Sequence, residues 1–188
     1  MKKEIEESIL RSSSIIKDSV SLSLDIEKAI AIIVNCLKNG NKIILFGNGG
    51  SAADAQHIAS EFIGRFQKER KSYPAISLTS DSSILTSLSN DYSFDSIFSR
   101  QCESLVNLDD VVIAISTSGN SKNIVKGLET AKERGAKIIS LLGNSGGIIK
   151  NYSDLTIIVD SDVTAHIQEV HRVIYHIICN FVEKSLSE

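Results

Sequence analysis

The chain has 188 residues, of which 42% are hydrophobic and 23% charged, a composition ordinary for one globular domain with a substantial core. Its formal net charge of −3 at pH 7 argues against binding to DNA or RNA, which calls for a basic surface. No apolar stretch approaches the roughly 18 residues of a membrane span, and the N-terminus is acidic where a signal peptide would be apolar. We therefore expect a cytoplasmic protein without nucleic-acid or membrane partners.

The first 39 residues predict two helices ahead of any strand. Ile5, Ile9 and Ile16 recur at helical spacing, and a second helical segment rich in Ile and Ala covers about residues 25–38. Neither helix is needed to cover the predicted sheet. This amphipathic N-terminal arm is suited either to pack on another subunit or to fold back on its own domain.

Residues 40–188 alternate short apolar strands with helices. The strands are predicted at residues 42–46, 75–78, 111–115, 137–142 and 155–159. Three helices begin where Ser51, Ser121 and either Thr164 or Asp162 can cap them, and extend to about residues 66, 134 and 184. This alternation predicts an α/β fold of the flavodoxin-like or Rossmann-like kind, a three-layer sandwich with a five-stranded parallel sheet.

Three loops rich in Gly, Asn and Ser directly follow predicted strands, at residues 47–51, 116–121 and 143–147. Glycine lets the backbone approach a ligand, and the N–H groups at the start of a following helix favour an anion. Open parallel sheets bind ligands at the carboxyl ends of their strands, where all three loops fall. We predict that they are anion-binding loops.

The second loop carries the most hydroxyl groups, from Ser116, Thr117, Ser118 and Ser121. Hydroxyl and backbone N–H groups can together surround a phosphate monoester without a neighbouring lysine. The alternative is an ordinary helix cap with a Ser-rich turn.

The first loop also matches half of a dinucleotide-binding fingerprint, because Gly47, Gly49 and Ala52 fit the pattern G-x-G-x-x-A. That fingerprint needs an acidic residue about 20 positions further on, at the end of the next strand. Here the next strand ends more than 30 residues after Gly47. A nicotinamide cofactor is therefore not predicted.

His57 and Glu61 lie four residues apart on the helix after the first loop, so both can reach one metal ion or one substrate. The alternative is a plain surface pair. His166, His171 and His176 follow at intervals of five on the last helix, each turned about 140° from the previous one. These three cannot form one cluster, so at most one or two of them are functional.

The three cysteines are Cys36, Cys102 and Cys179. They are scattered along the chain and lack the spacing of a Cys-x-x-Cys site, so neither a disulfide framework nor a thiolate zinc site is indicated. We predict that they are small buried side chains.

Motifs spread from about residue 37 to residue 176 resemble one family throughout. They are Gly47-Asn48-Gly49-Gly50-Ser51, Asp54-Ala55, His57, Glu61, Gly64-Arg65, Asn90-Asp91, Phe98-Ser99-Arg100, Ile115-Ser116-Thr117-Ser118-Gly119-Asn120-Ser121 and Ile167-Gln168-Glu169-Val170-His171. Together they are similar to those of the phosphoheptose isomerases, members of the sugar isomerase (SIS) domain family. The resemblance implies a single SIS domain spanning residues 1–188 that converts sedoheptulose 7-phosphate to D-glycero-D-manno-heptose 7-phosphate. That reaction is the first step of nucleotide-activated heptose biosynthesis for lipopolysaccharide or capsule.

The resemblance also implies ligands and partners. One zinc ion per subunit would be bound by His57, Glu61, Gln168 and His176, with Glu61 as the base and His176 as its acid/base partner. The implied substrate contacts are Asn48, Gly49, Gly50, Glu61, Asn90, Asp91, Ser116, Thr117, Ser118, Ser121 and Gln168. A homotetramer built through the N-terminal helices would place the active sites near subunit interfaces. One departure is His166, where the family typically has an arginine.

Helix geometry raises a question about two of the implied metal ligands. Gln168 and His176 are eight residues apart, about 12 Å along a regular helix, which is farther than both side chains can span toward one ion. One hypothesis is that His176 serves a site in a neighbouring subunit. The alternative is that His171 or Arg172 joins Gln168 and His176 merely packs.

Other functions are compatible with parts of these patterns. Some proteins with this domain bind sugar phosphates or protein partners without catalysis, as transcriptional regulators or as partners of the replication initiator. They typically lack part of the His/Glu/Gln/His set, whose presence here favours an enzyme. An isomerase of an amino-sugar phosphate is a further alternative, but it would share only the Ser-rich loop.

Overall fold

The computed structural model describes residues 1–187, which form five strands and seven α-helices. The strands are β1 Ile43–Gly47, β2 Ala75–Ser77, β3 Val111–Ser116, β4 Lys137–Gly143 and β5 Leu155–Val159. The helices are α1 Lys2–Asp18, α2 Ser23–Lys38, α3 Gly50–Ile63, α4 Ser82–Asp91, α5 Ser99–Leu105, α6 Lys122–Glu133 and α7 Thr164–Ser187. Among residues 1–187, no helix combines the length and the apolar character that crossing a membrane requires.

The five strands form one parallel sheet in the order β2-β1-β3-β4-β5. Every residue of β1 and β3 is buried, as continuous apolar runs require when helices cover both faces of a sheet. The predicted five-stranded parallel sheet is confirmed, with strand boundaries within one residue of those predicted.

Alternate residues of each strand point to opposite faces and divide the core into two clusters. Ile43 and Leu45 of β1 pack into a cluster with α2, α3 and α7. Ile44 and Phe46 pack into the opposite cluster with α5 and α6. The three predicted layers follow from this division.

The N-terminal arm divides into two parts with different environments. Helix α2 buries Ile26, Ala29, Ile33 and Cys36 in the core cluster beside α7, so the prediction that neither N-terminal helix covers the sheet is wrong for α2. A stripe at i, i+3, i+7 and i+10 lets this helix pack like any other covering helix. Helix α1 has no buried residue.

Both boundaries of α3 differ from the prediction. Helix α3 begins at Gly50 with Gly49 as its N-cap, and Ser51 lies buried inside the first turn instead of capping it. The helix ends at Ile63, three residues before the predicted end at Phe66. It stops there because the backbone N–H of Phe66 donates to the carboxylate of Glu183 on α7, at 2.9 Å, in place of a helical carbonyl.

Two short helices between β2 and β3 were not predicted. Asp81 caps α4 by accepting a hydrogen bond from the N–H of Ile84, at 3.0 Å. The apolar residues of α4 and α5 are interrupted by serines, so their helical periodicity is weak. The cysteine prediction is confirmed, because Cys36, Cys102 and Cys179 are all buried and unpaired within residues 1–187.

Candidate active site

The strand order creates a crevice at the carboxyl ends of β1 and β3. From β1 the chain moves to β2 on one side, whereas β3, β4 and β5 extend the sheet on the other, so the loops after β1 and β3 diverge. Asn48 of the first loop and Asn123 of α6 link the two sides by exchanging hydrogen bonds between their side-chain amides, at 2.9 and 2.8 Å. The two loops are thereby held at a fixed separation. Asn123 was not predicted as a site residue.

The second loop folds tightly around its own hydroxyl groups. The Ser116 hydroxyl accepts from the N–H of Gly119 at 3.1 Å, and the Ser118 hydroxyl accepts from the N–H of Asn120 at 3.2 Å. Ser121 is the N-cap residue of α6, as predicted, but its side chain makes no capping hydrogen bond. Its hydroxyl and the first N–H groups of α6 are therefore available to an anion.

The third loop supports the second one. Gly119 has a φ of +67°, and a Cβ built on it would collide with the backbone of Gly146. The N–H of Ile149 donates to the carbonyl of Gly119 at 2.9 Å. The segment that follows the loop is a four-residue 3₁₀ turn, which offers no helix N-terminus for an anion. Residues 143–147 thus support the second loop, and their binding of an anion stays a prediction.

Helices α3 and α7 bring three titratable side chains together. One ligand atom from each of His57, Glu61 and His176 lies within 4.8 Å of the others. His57 Nε2 is 3.0 Å from Glu61 Oε1, and the His57 and His176 ring centroids are 5.2 Å apart. All three side chains are partly buried. Burial and the neighbouring His57 lower the pKa of His176 below its ordinary value.

This group has the chemistry of a metal site. Two imidazoles and a carboxylate are ligands that a divalent cation accepts readily, and no His, Cys, Asp or Glu cluster elsewhere in residues 1–187 brings three such groups together. The group also brings together side chains that can accept and donate protons, as general acid–base catalysis requires.

Gln168 of α7 lies against the start of α3, beside Gly50. A Cβ built on Gly50 would collide with the side-chain amide of Gln168, so α7 packs closely on the first turn of α3. The long helical distance separates His176 from Gln168, whereas His57 and Glu61 of the same chain lie beside His176. His176 can therefore share a ligand with His57 and Glu61 of its own chain. For this group, the distance along α7 gives no reason to assign His176 to a neighbouring subunit.

His171 takes no part in the group. Its ring is fully buried, and its Nε2 lies 3.0 Å from the carbonyl oxygen of Leu142 at the end of β4. Burial lowers the pKa of His171 to about 4. The alternative in which His171 joins Gln168 in binding a ligand is therefore wrong. The prediction that His166, His171 and His176 do not cluster agrees with this arrangement.

Asn90 and Asp91 lie at the exposed end of α4. The Asn90 amide donates to the Asp91 carboxylate at 2.9 Å. Among residues 1–187, no side-chain hydrogen bond joins either residue to the loops after β1 and β3. These two predicted substrate contacts are therefore not connected to the crevice within one chain.

Three further residues adjoin the site: Asp54 and Tyr175, which were not predicted as site residues, and Arg172, which was named only in the alternative with Gln168. Asp54, buried on α3, accepts a hydrogen bond from Arg172 at 3.0 Å and lies 3.3 Å from the Tyr175 hydroxyl. That hydroxyl also lies 3.4 Å from His57 Nδ1. Burial raises the pKa of Tyr175 to about 12, so the phenol keeps its proton. Asp54 precedes His57 by three residues, a helical spacing that could have indicated a shared face.

The fold and the crevice define a class of protein. Residues 7–143, about three quarters of the chain, match the SIS domain family. Helix α7, which carries His176, lies beyond the matched segment.

More specific similarity covers nearly the whole chain. The phosphoheptose isomerase of Citrifermentans bemidjiense is 53% identical over 165 residues, 88% of this chain and 86% of that protein. The solved phosphoheptose isomerase GmhA of Neisseria gonorrhoeae superimposes with a TM-score of 0.93, at 36% identity over 97% of this chain and 98% of the other. The Francisella tularensis phosphoheptose isomerase has a TM-score of 0.94, at 36% identity and 97% of both chains. The chain belongs to the phosphoheptose isomerase family of SIS domain proteins.

Proposed function

We propose that the protein is an aldose–ketose isomerase that converts sedoheptulose 7-phosphate to D-glycero-D-manno-heptose 7-phosphate. The convergence of His176 with His57 and Glu61, two residues of the helix that follows the first loop, is the observation that carries this proposal. Relatives named phosphoheptose isomerase, 53% identical over most of the chain, support it. The reaction needs one proton to move between adjacent carbons and another between the oxygens they carry, so it needs groups that accept and donate protons.

In this proposal the second loop binds the terminal phosphate. The Thr117, Ser118 and Ser121 side chains and the first N–H groups of α6 supply donors, while Ser116 keeps the loop closed through its bond from Gly119. The phosphate would be bound at a distance from the reacting carbons. Its binding energy would then hold those carbons in the orientation that the reaction needs.

The first loop and α7 would surround the other end of the sugar. Asn48, Gly49, Gly50 and Gln168 line the crevice where α7 meets the start of α3, and their amide and N–H groups suit sugar hydroxyls. The Asn48–Asn123 pair fixes this end of the site relative to the phosphate loop. The site therefore matches an elongated, phosphorylated polyol.

Glu61 is the proposed base for the carbon-bound proton, and His176 the proposed group for the oxygen-bound proton. The Glu61 side chain is one-fifth exposed, so it faces the crevice while remaining partly shielded from water. The lowered pKa of His176 keeps its imidazole neutral near pH 7, where it can both accept and donate a proton.

We further propose that zinc is the metal bound by His57, Glu61 and His176, with Gln168 as a fourth candidate ligand. Two imidazoles and a carboxylate fit zinc well. When bound, the ion would act as a Lewis acid that polarises the substrate carbonyl.

We propose a homotetramer in which α1 packs on other copies of the chain. Supporting this, large apolar side chains of α1 are exposed, including Ile5 at 54%, Ile9 at 63% and Leu10 at 67%. Asn90 and Asp91, exposed and bonded to each other, are then available to a neighbouring site. In this arrangement residues 1–188 form one domain, with residues 1–39 as the assembling arm. We place the reaction in the cytoplasm.

The proposed reaction is tested by following sedoheptulose 7-phosphate by NMR in D₂O with zinc-loaded protein. We expect the aldose phosphate to appear and deuterium to enter at C2, because the transferred proton exchanges with solvent at the base. Binding without product and without deuterium would overturn the catalytic assignment in favour of a non-catalytic sugar-phosphate-binding protein.

A further inference from the structure

His57 makes different contacts through its two ring nitrogens. Nε2 lies 3.0 Å from Glu61 Oε1, on the side of the ring that faces the proposed metal site of His57, Glu61 and His176. Nδ1 lies 3.4 Å from the hydroxyl of Tyr175, a residue of α7 that is only 1% exposed. A histidine binds a metal through a nitrogen that carries no proton, so the proton of a neutral ring must then sit on the other nitrogen.

The hydrogen bonds around Tyr175 determine which way its hydroxyl can point. Arg172 Nε donates to the Tyr175 oxygen at 3.1 Å. The Asp54 carboxylate, 3.3 Å from the same oxygen, can only accept, so the tyrosine must donate its single proton to Asp54. Arg172 also pairs with Asp54 at 3.0 Å.

With its proton committed to Asp54, the Tyr175 oxygen can only accept from His57. A hydrogen bond across the 3.4 Å contact therefore needs a proton on Nδ1 of His57. The Glu61 carboxylate, 3.0 Å from Nε2, also accepts in the metal-free chain, and a metal ion bound by Nε2 and Glu61 would take the place of the proton on Nε2. A hydroxyl without Asp54 beside it could instead rotate and donate to Nδ1, which would move the ring proton to Nε2.

We propose that Tyr175, Asp54 and Arg172 are positioning residues that hold His57 with its proton on Nδ1 and its Nε2 lone pair directed at the metal site. None of the three belongs to the His57, Glu61 and His176 group. They act through His57, by fixing both the rotation of its ring and the nitrogen that is free to bind. This inference rests on the proposed metal site and deepens it.

The test compares zinc affinity, measured without substrate by competition with a chromophoric chelator, in four proteins. Tyr175→Phe keeps the buried ring and removes the hydroxyl, and we expect zinc to bind roughly 10- to 100-fold more weakly. Asp54→Asn should weaken binding similarly, because an amide can donate to the tyrosine oxygen and release its proton toward His57. Tyr73→Phe is the matched control: Tyr73 is 4% exposed in the same core cluster, and its hydroxyl makes no hydrogen bond within residues 1–187. It should bind zinc as the wild type does.

A spectroscopic readout separates positioning from general loosening. In histidine-labelled, zinc-loaded protein, ¹H–¹⁵N NMR should show a protonated Nδ1 on His57 that exchanges slowly with water, assigned by its loss in His57→Gln. In Tyr175→Phe this proton should exchange much faster, while Tyr73→Phe keeps it protected.

The outcomes are distinguishable. Wild-type zinc affinity and an equally protected Nδ1 proton in both Tyr175→Phe and Asp54→Asn would overturn this inference alone and leave the proposed metal site standing. Failure of the wild-type protein to bind zinc would overturn the metal site and the inference together. Product formation in D₂O would still decide the isomerase proposal separately.

Discussion

Glu61 has two neighbours that determine what it can do. It lies one helical turn after His57, with which it shares a contact of 3.0 Å, and α7 places His176 beside both. A carboxylate in this position can remove a proton from carbon only if a partner handles the proton on oxygen, and His176 is within reach of the same group.

We expect Glu61→Gln to lower turnover by a factor on the order of 10² to 10⁴, the range typical of a lost general base. Deuterium entry at C2 should fall in parallel, because the same group removes that proton. Sugar-phosphate binding, measured by NMR titration, should be largely retained, since the phosphate loop is intact.

Glu69→Gln is the control for this variant, because Glu69 is 91% exposed and pairs only with Arg65 on the surface. It should keep wild-type turnover. Metal content must be measured on the same samples, so that loss of the base is not confused with loss of the ion. Wild-type activity in Glu61→Gln would remove Glu61 from the role of base.

His171 links stability to pH. Its folded-state pKa of about 4 lies below the ordinary value of 6.5, because burial disfavours the charged ring. Between pH 6.5 and pH 4, His171 therefore binds a proton in the unfolded chain but not in the folded one. The free energy of unfolding is unaffected by this residue above pH 6.5 and decreases as the pH falls from 6.5 toward 4.

We predict that this residue alone costs about 2 kcal/mol of unfolding free energy between pH 7.5 and pH 5. His171→Gln cannot be protonated but can still donate to the carbonyl of Leu142. Urea unfolding at both pH values should therefore show a loss smaller by about that amount in the variant than in the wild type. Equal losses in the two proteins would contradict the assignment.

At the scale of elements, the end of α3 is attached to α7 by a buried ion pair. Glu183 accepts hydrogen bonds from the N–H groups of Phe66, Gln67 and Lys68 and from Arg70 Nε, at 2.8 to 3.0 Å. Burial would raise the pKa of Glu183, but these donors lower it below its ordinary value.

Arg70 extends the same connection to the catalytic helix. Its guanidinium donates to the carbonyls of Glu61, Phe62 and Gly64, which are among the last unpaired carbonyls of α3. Both Arg70 and Glu183 are almost fully buried. The pair therefore holds the segment after α3 on α7 and sets where the turn that carries Glu61 lies.

We predict that Arg70→Met and Glu183→Gln each lower the free energy of unfolding by about 3 kcal/mol, because either change leaves a buried charge without its partner. The double variant should lose less than the sum of the two, as expected for groups in direct contact. Urea unfolding at pH 7.5 measures all three.

Arg65→Met serves as the comparison, because Arg65 is more than half exposed and pairs with a surface glutamate. It should cost under about 1 kcal/mol. Additive losses in the Arg70 and Glu183 variants would show that the two residues do not act as one unit.

At the scale of the whole molecule, α1 contacts α7 and packs Ile15 against the core, but it buries none of its residues. Ile5, Ile9 and Ile16 share one face and are at least 36% exposed, whereas a stable helix normally buries its apolar face. A second copy of the chain is the partner that we propose for this face.

We predict that Ile5→Glu combined with Ile9→Glu reduces the mass measured by light scattering, because two charges must then be buried in the interface. The metal-free fold should persist, since α1 contributes no buried residue to the core. Ser14→Glu is the control: Ser14 lies on the opposite face of α1 and is exposed, so its variant should keep the wild-type mass. An unchanged mass in the double variant would exclude this face as the interface.

Much of the fold was predictable because its cause is local. Five apolar runs separated by helical patterns predicted the strands to within one residue. A strand that is buried on both faces of the sheet must consist almost entirely of apolar residues, so its limits are visible in the sequence. Cap signals predicted the starts of α6 and α7. The serine-rich helices α4 and α5 were missed, because their stability depends on packing and on a cap at Asp81 and not on a clear apolar stripe.

The sequence by itself determined the chemistry of the site: a Ser-rich loop after a buried strand, a His–Glu pair one turn apart, and motifs of one isomerase family. Only the tertiary structure decided which distant residues meet. The contacts of His176 with His57, of Tyr175 with Asp54 and of Glu183 with Arg70 all join α7 to α3 or to the segment after it. They form because of the angle and distance at which α7 packs on α3. That crossing depends on how side chains interlock in three dimensions, and spacing along one helix contains no information about it.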